Sequence, residues 1–342
     1  MTVFIARRLL LLPLVGIGVT LLIFSLLQLL SPQQRAALYV TDPRQLQAID
    51  AIIREHGLDR PVYIQYVQWL GRVLQGDLGW SETAKMPVAR AIATFFPATL
   101  ELTLYTFLPI IALGIWLGTK SAVHRDQVID HFSRLFAIGG QSFPTFVWGL
   151  LLLMVFYGAW RLFPPGRLSL EANLVVLDPT QFRTYTHLVT VDALLNGKLW
   201  IFLDALRHLA LPVITLSLVQ TATLVRVTRS SMLETLRQDY VRTARAKGLE
   251  EPRVINKHAR KNALIPVITL SALLFVGLLN GVVITETIYN YPGIGRWGAN
   301  AAIQLDAPAV AGFALFSALL LVFGNLAADI LYAWIDPRIR LG

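Results

Sequence analysis

The stretch LLLLPLVGIGVTLLIFSLLQLL (9–30) runs 22 residues without a charge, directly after Arg7 and Arg8. An α-helix needs about 20 mostly apolar residues to cross roughly 30 Å of hydrocarbon, so this stretch reads as a membrane span. It is longer than a signal-peptide core, and no small-residue cleavage site precedes Ser31 and Pro32, which makes it an uncleaved anchor. Five more segments come close to that length or exceed it: 98–119, 135–157, 209–225, 264–285 and 309–333. Of the six, 209–225 is the weakest, with Pro212 in its first turn and Gln220 and Thr221 inside it, though the apolar run from near Trp200 extends it. The pattern predicts an all-α integral membrane protein with six transmembrane helices and a small helical extracytoplasmic module after the first.

Composition agrees with that reading. Hydrophobic residues make up 55% of the 342 and charged residues only 15%, against about 25% charged in a soluble chain. Lys and Arg number 30 against 21 Asp and Glu, a net charge of +9, which raises a nucleic-acid reading. The placement of the positives argues against it. With the N-terminus inside, the inner segments 1–8, 120–134, 226–262 and 334–342 hold 2, 3, 10 and 2 of them. Seven of the remainder lie in 31–97, a stretch long enough to translocate largely regardless of charge. Both termini are therefore expected in the cytoplasm, the chain in the cell membrane, and no nucleic-acid partner is needed. There is no cysteine, which excludes disulfides, thiolate metal sites and a cysteine nucleophile.

The chain divides on this reading into 1–30 (N-terminus and first span), an extracytoplasmic helical module at 31–97, and a five-helix core at 98–342. Within the module, QLQAIDAIIRE (45–55) places Leu46, Ile49, Ile52 and Ile53 on one helical face, and Gly57 stops it. Asp59, Arg60 and Pro61 open a second helix, with Val62, Tyr66, Trp69, Leu70 and Val73 as its apolar stripe. Gly76, Asp77, Leu78 and Gly79 end it. The module is a docking surface, a lid over the outer mouth or a packing cap. The second outer loop, 158–208, carries Pro164, Pro165, Gly166, Pro179 and Asn196-Gly197 and reads as irregular with a short helix near 191–205.

The inner loop 226–262 carries the strongest signal. Apolar Met232, Leu233, Leu236, Tyr240, Val241 and Ala244 recur there at helical spacing among the basic residues, predicting an amphipathic helix on the cytoplasmic side. Gly248 stands where a helix C-cap wants a residue tolerant of positive φ. Such a helix lies on anionic lipid or meets a protein; Ala244, Ala246 and Gly248 permit close backbone approach and favour the protein.

Catalytic motifs are missing. No P-loop appears, since the one Gly-Lys pair, Gly197-Lys198, continues into Leu199. The six histidines form no His-Glu-x-x-His, and there is no Gly-x-Ser-x-Gly. No catalytic residue, metal site or bound cofactor is expected, and the chain is not read as an enzyme. Polar groups inside spans are costly and mark pore walls or interhelix hydrogen bonds. Gln141, Ser142, Gln220 and Asn280 are the candidates for a translocation path, while Gly277 and Gly281 fit close helix packing as well.

DYVRTARAKG (239–248), followed after a second basic stretch by NALIPVIT (262–269), resembles the cytoplasmic signature of ABC importer permeases. That signature is Glu-Ala-Ala, three residues, Gly, then Ile-x-Leu-Pro. Here Arg242 and Thr243 hold the first two positions, Ala244 and Gly248 match, and Ile265-Pro266 closes the motif at a longer spacing, a form similar to the peptide/nickel branch. GLDRPVYIQYVQWLGRVLQGDLGWS (57–81), PATLELT (97–103), RHLALPVITLSL (207–218), YPGIGRWG (291–298) and DPRIR (336–340) look like the B-type permease of dipeptide and oligopeptide importers. The loop 158–208 is where the likeness is loosest.

The resemblance implies a transmembrane subunit forming half of a pathway for short peptides. It implies as partners a second homologous permease, two ATP-binding subunits that use ATP and Mg, and an extracytoplasmic substrate-binding protein. Tyr240, Arg242, Thr243, Ala244, Lys247 and Gly248 would form the ATPase-coupling contact, and Glu286, Tyr291, Pro292 and Gly293 an outer gate. The competing reading is a stand-alone secondary transporter or channel acting as a homo-oligomer. Against it, Asp329 near an inner end is the one acid well inside the membrane region, so coupling-ion ligands are lacking.

Overall fold

Apolar runs become helices here because hydrocarbon offers backbone N–H and C=O groups no partner outside their own segment. A computed structural model describes the backbone of residues 2–37 and 49–335 and the side chains of 13–36 and 49–328. Leu46, the side chain of Asp329 and the segment 336–340 lie outside the described residues.

In chain order the elements begin with α1 (Thr2–Leu27), α2 (Pro32–Ala37), α3 (Ile49–Glu55) and α4 (Val62–Leu74). A two-stranded hairpin, β1 (Trp80–Ser81) and β2 (Met86–Pro87), leads into α5 (Val88–Val123). Then come α6 (Val128–Ser142), α7 (Thr145–Ala159), α8 (Leu170–Leu177), α9 (Val189–Leu195), α10 (Leu199–Thr235) and α11 (Asp239–Ala246). The last five are α12 (Glu251–Ala263), α13 (Ile265–Leu279), α14 (Val283–Ile288), α15 (Ile294–Ile303) and α16 (Ala307–Ile335). Two compact units result: residues up to Thr99 with Pro292–Phe323, and Leu100–Tyr291 with the chain from Gly324.

Three of the described helices are by themselves long and apolar enough to cross a membrane: Val88–Val123, Leu199–Thr235 and Ala307–Ala328. The pairs α6–α7 and α12–α13 qualify only when each is taken together across a bend. The predicted third span, 135–157, is thus corrected: it is no single rod but breaks at Phe143–Pro144 with a 95° bend. Pro144 offers no N–H to the helix and forces Phe143 into extended backbone (φ −120°, ψ 144°). The predicted fifth span, 264–285, is also interrupted. It bends 50° at Leu264, stops at Leu279, and resumes only after Gly281 adopts φ +95°.

In the first unit Pro61 caps α4 as expected, and Gly57 and Gly76 take positive φ at its flanks. The stripe differs from the expected one at its first member, because Val62 is 57% exposed while Gln65 is buried. Gln65 is held by Nε2 donating to Leu58 O (3.0 Å) and Arg60 O (2.6 Å), while its Oε1 accepts from Arg35 Nη1 and Gln28 Nε2. Phe24 of α1 packs on Tyr66 and Trp69, at 5.4 and 5.7 Å between centroids. A second core gathers Val88, Ala91, Ile294, Trp297, Ala301 and Ala309. Asp306 anchors it to the hairpin, accepting from Ser81 Oγ (2.8 Å) and Thr83 N (2.9 Å) while Ala309 N donates to its other oxygen.

The second unit is built on α10, against which α6, α7, α9, α12, α13 and α14 pack. Glycines let α5 and α6 come close: a Cβ on Gly114 would sit 2.6 Å from Leu224, on Gly118 2.5 Å from Thr228, and on Gly140 2.9 Å from Ala222. The loop 158–208 is more ordered than expected. It contains α8 and α9 around a core of Ala172, Phe182, Val189, Ala193, Ile201 and Ala205. The helix expected at 191–205 is split by Gly197 at φ +67°.

Candidate functional site

The segment predicted as one amphipathic helix is divided between the end of α10 and α11. Helix α10 ends at Thr235 and α11 starts at Asp239, with extended Gln238 between them. Val241 and Ala244, at i and i+3 on α11, are buried against Ala122, Met232, Val254, Ala259 and Ala263. Ala244, one of the contact residues expected from sequence, is only 5% exposed, its side chain packed within the chain. Tyr240, Arg242, Thr243, Lys247 and Gly248 face outwards.

The block is tied at several points. Arg245 pairs with Glu251 (2.7 Å) across the turn at Gly248, and the guanidinium draws that carboxyl below its ordinary pKa. Asn262 Nδ2 donates to Tyr240 (2.9 Å), and Ser231 Oγ donates to Ala263 O (2.8 Å). Gly248 has φ +73° and open space where a Cβ would stand. The result is a cationic outward face on a helix pinned from behind.

Of the path candidates, Gln141 is joined to α10: Nε2 donates to Thr223 Oγ1 (2.8 Å) and Oε1 accepts from Arg226. Gln220, half-buried, lies one turn before Thr223 on the same helix face. Ser142 and Asn280 instead bond back to their own helices, at Ile138 O and Val276 O. A Cβ on Gly277 would meet nothing within 4 Å, so no close packing is made there among the described residues.

Among the outer candidates, Glu286 and Tyr291 are fully buried, with Tyr291 N donating to Glu286 O (2.8 Å). The Tyr291 hydroxyl donates to Glu101 Oε2 (3.4 Å). Glu101 also accepts from Arg167 (2.7 Å) and from Thr190 through N (2.7 Å) and Oγ1 (2.8 Å). Burial works against the Arg167 charge, but the Glu101 carboxylate outweighs it and raises the pKa of the guanidinium. In the first unit Pro292 is half-buried, and Gly293 is buried at the start of α15.

Sequence reasoning passed over one further cluster, Asp130 with Arg229 and Ser121 (2.6 Å for the nearest contact to Arg229). An acid at the first turn of α6 looks like ordinary helix capping in sequence, and only the fold brings Arg229 to it. No group of His, Cys, Asp and Glu able to hold a metal occurs among the described residues.

Residues 110–341 match the family described as binding-protein-dependent transport system inner membrane component, and residues 1–103 match its N-terminal region. This chain belongs to that family of transport membrane components. The membrane component is similar to the di/tripeptide transport system permease protein DppB of Pseudomonas aeruginosa (strain UCBPP-PA14), 42% identical with 98% of each chain covered. It is 39% identical to the dipeptide transport system permease protein DppB of Escherichia coli (strain K12), again over 98% of each chain. The oligopeptide transport system permease protein AppB of Bacillus subtilis (strain 168) is 37% identical, with 99% of this membrane component and 100% of AppB covered. The stand-alone carrier or channel finds no support in these matches.

Proposed function

We propose that this chain is one permease subunit of an ATP-driven importer, supplying half of a translocation pathway for short peptides. Its partners are a second homologous permease, two ATP-binding subunits on the cytoplasmic side and an extracytoplasmic binding protein that delivers the peptide. The chain crosses the membrane six times with both termini inside, the third crossing bent between the end of α6 and α7 and the fifth running through α13. The module after α1 lies outside. Full-length similarity to peptide permeases supports the substrate class.

The observation that carries the reading is α11. Its apolar side is buried within the chain while Tyr240, Arg242, Thr243 and Lys247 are exposed beside a positive-φ Gly248, an arrangement that supports a protein contact at this face. ATP-driven movement of the ATPase subunits would press on this face and shift α10, α12 and α13, exchanging inward and outward access. Arg226, Gln141, Thr223 and Gln220 form the polar surface offered to the peptide at the inner side of the bend.

Uptake of a labelled dipeptide into proteoliposomes containing all partners tests it. The reading requires ATP-dependent uptake that also needs the binding protein. Uptake without ATP would overturn it.

A further inference from the structure

Asp130 is fully buried, and four hydrogen bonds from three places in the chain converge on it. Ser121 Oγ of α5 donates at 2.5 Å, Asp126 N of the following turn at 3.0 Å, and Arg229 of α10 through Nε at 2.6 Å and Nη2 at 2.9 Å. Arg134, one turn further along α6, adds a longer contact of 4.0 Å. A forked guanidinium–carboxylate pair fixes separation and relative rotation together, whereas an apolar contact of similar area lets helices slide. Net stability is a weak reason for keeping a buried ion pair, since its desolvation cost rivals its attraction.

The position of the pair supplies a better reason. Arg229 is one helical turn before Met232, and Ser121 is next to Ala122; Met232 and Ala122 are two of the residues on which Val241 and Ala244 of α11 sit. Force applied to the outward face of α11 therefore arrives at residues whose immediate neighbours are bonded to Asp130. Helix α6 carries it onward for its whole length to the 95° bend, where Gln141 meets Thr223 and Arg226. We infer that Asp130 and Arg229 are positioning residues that transmit movement of the coupling block into α6 and its bend. Asp130 is fully buried within the chain, and Arg229 is 22% exposed. This inference rests on the importer reading above.

The test is the ratio of ATP hydrolysed to dipeptide imported, measured in proteoliposomes with the complete transporter. Asp130→Asn removes the charge while keeping an acceptor; Arg229→Lys keeps the charge and removes the fork. Both complexes should assemble with basal ATP hydrolysis within about twofold of the parent, while ATP used per peptide rises about tenfold, near the upper range for loss of one coupling contact. A parent-like ratio in Arg229→Lys overturns the inference, because charge alone then suffices. Failure of both variants to assemble also overturns it, by making the pair scaffolding. If the unaltered complex shows no ATP-dependent uptake, the importer reading has failed instead.

Discussion

The Tyr240 hydroxyl accepts a 2.9 Å hydrogen bond from Asn262 Nδ2, joining the exposed helix α11 to the last turn of α12. Between those two residues the chain turns at Gly248, so the bond closes a loop of more than 20 residues. Tyr240 is 42% exposed, and its ring belongs to the outward face.

Tyr240→Phe keeps the ring and loses one exposed hydrogen bond, about 0.5–1 kcal/mol. Recovery of the ATP-binding subunits with the tagged chain should stay near the parent level. Tyr240→Ala removes the ring from the face and should cut that recovery severalfold, as read by quantitative mass spectrometry.

Gly248 separates backbone strain from contact. Its φ of +73° costs an ordinary L-residue about 1–2 kcal/mol, less for Asn, while no atom of this chain obstructs a Cβ. Gly248→Asn should therefore retain most uptake. Gly248→Glu should abolish uptake with unchanged membrane insertion, because the added bulk and charge meet the ATPase subunit rather than the chain itself.

The Asp130–Arg229 pair sets an acid limit. Arg229 holds the Asp130 carboxyl far below its ordinary value of 3.8. A depressed carboxylate contributes stability that is complete above its unfolded pKa and is lost as pH falls through the folded one. This contribution is accordingly constant from pH 8 to pH 5 and disappears only below about pH 4. Thermal unfolding in detergent should show the Asp130→Asn difference undiminished between pH 8 and pH 5, and shrinking below that window.

Glu101→Gln leaves Arg167, only 18% exposed, without its counter-charge. Breaking a buried pair by removing one partner costs about 3–5 kcal/mol. A clear drop in Tm is expected, and replacing Arg167 by Met in the same chain should recover part of it. No recovery in the double variant would show that the other Glu101 hydrogen bonds, to Thr190 and Tyr291, carry the effect.

The apolar runs marked where helices form, since lipid imposes helix on any long hydrophobic stretch, but they did not mark the bends. Pro144 and Gly281 signal breaks locally, while the 95° angle depends on what α7 packs against. Gly248 and Pro61 were legible because their conformations are set by one residue. The packing of Ala244 was not legible because small size serves an internal core as well as it serves an external contact. Asp130 and Arg229 are 99 residues apart, and no period or spacing links them. Val62 and Gln65 show the same limit: α4 buries an amide that a hydrophobic stripe passes over, because Arg35, Leu58 and Arg60 satisfy it.

The most direct test of the central claim is co-purification of the tagged chain from its native membrane in mild detergent, with mass spectrometry and an ATPase assay on what comes with it. The account requires a second permease and two ATP-binding subunits with ATPase activity, all lost from Gly248→Glu. A homo-oligomer of this chain alone, without ATPase activity, would contradict it.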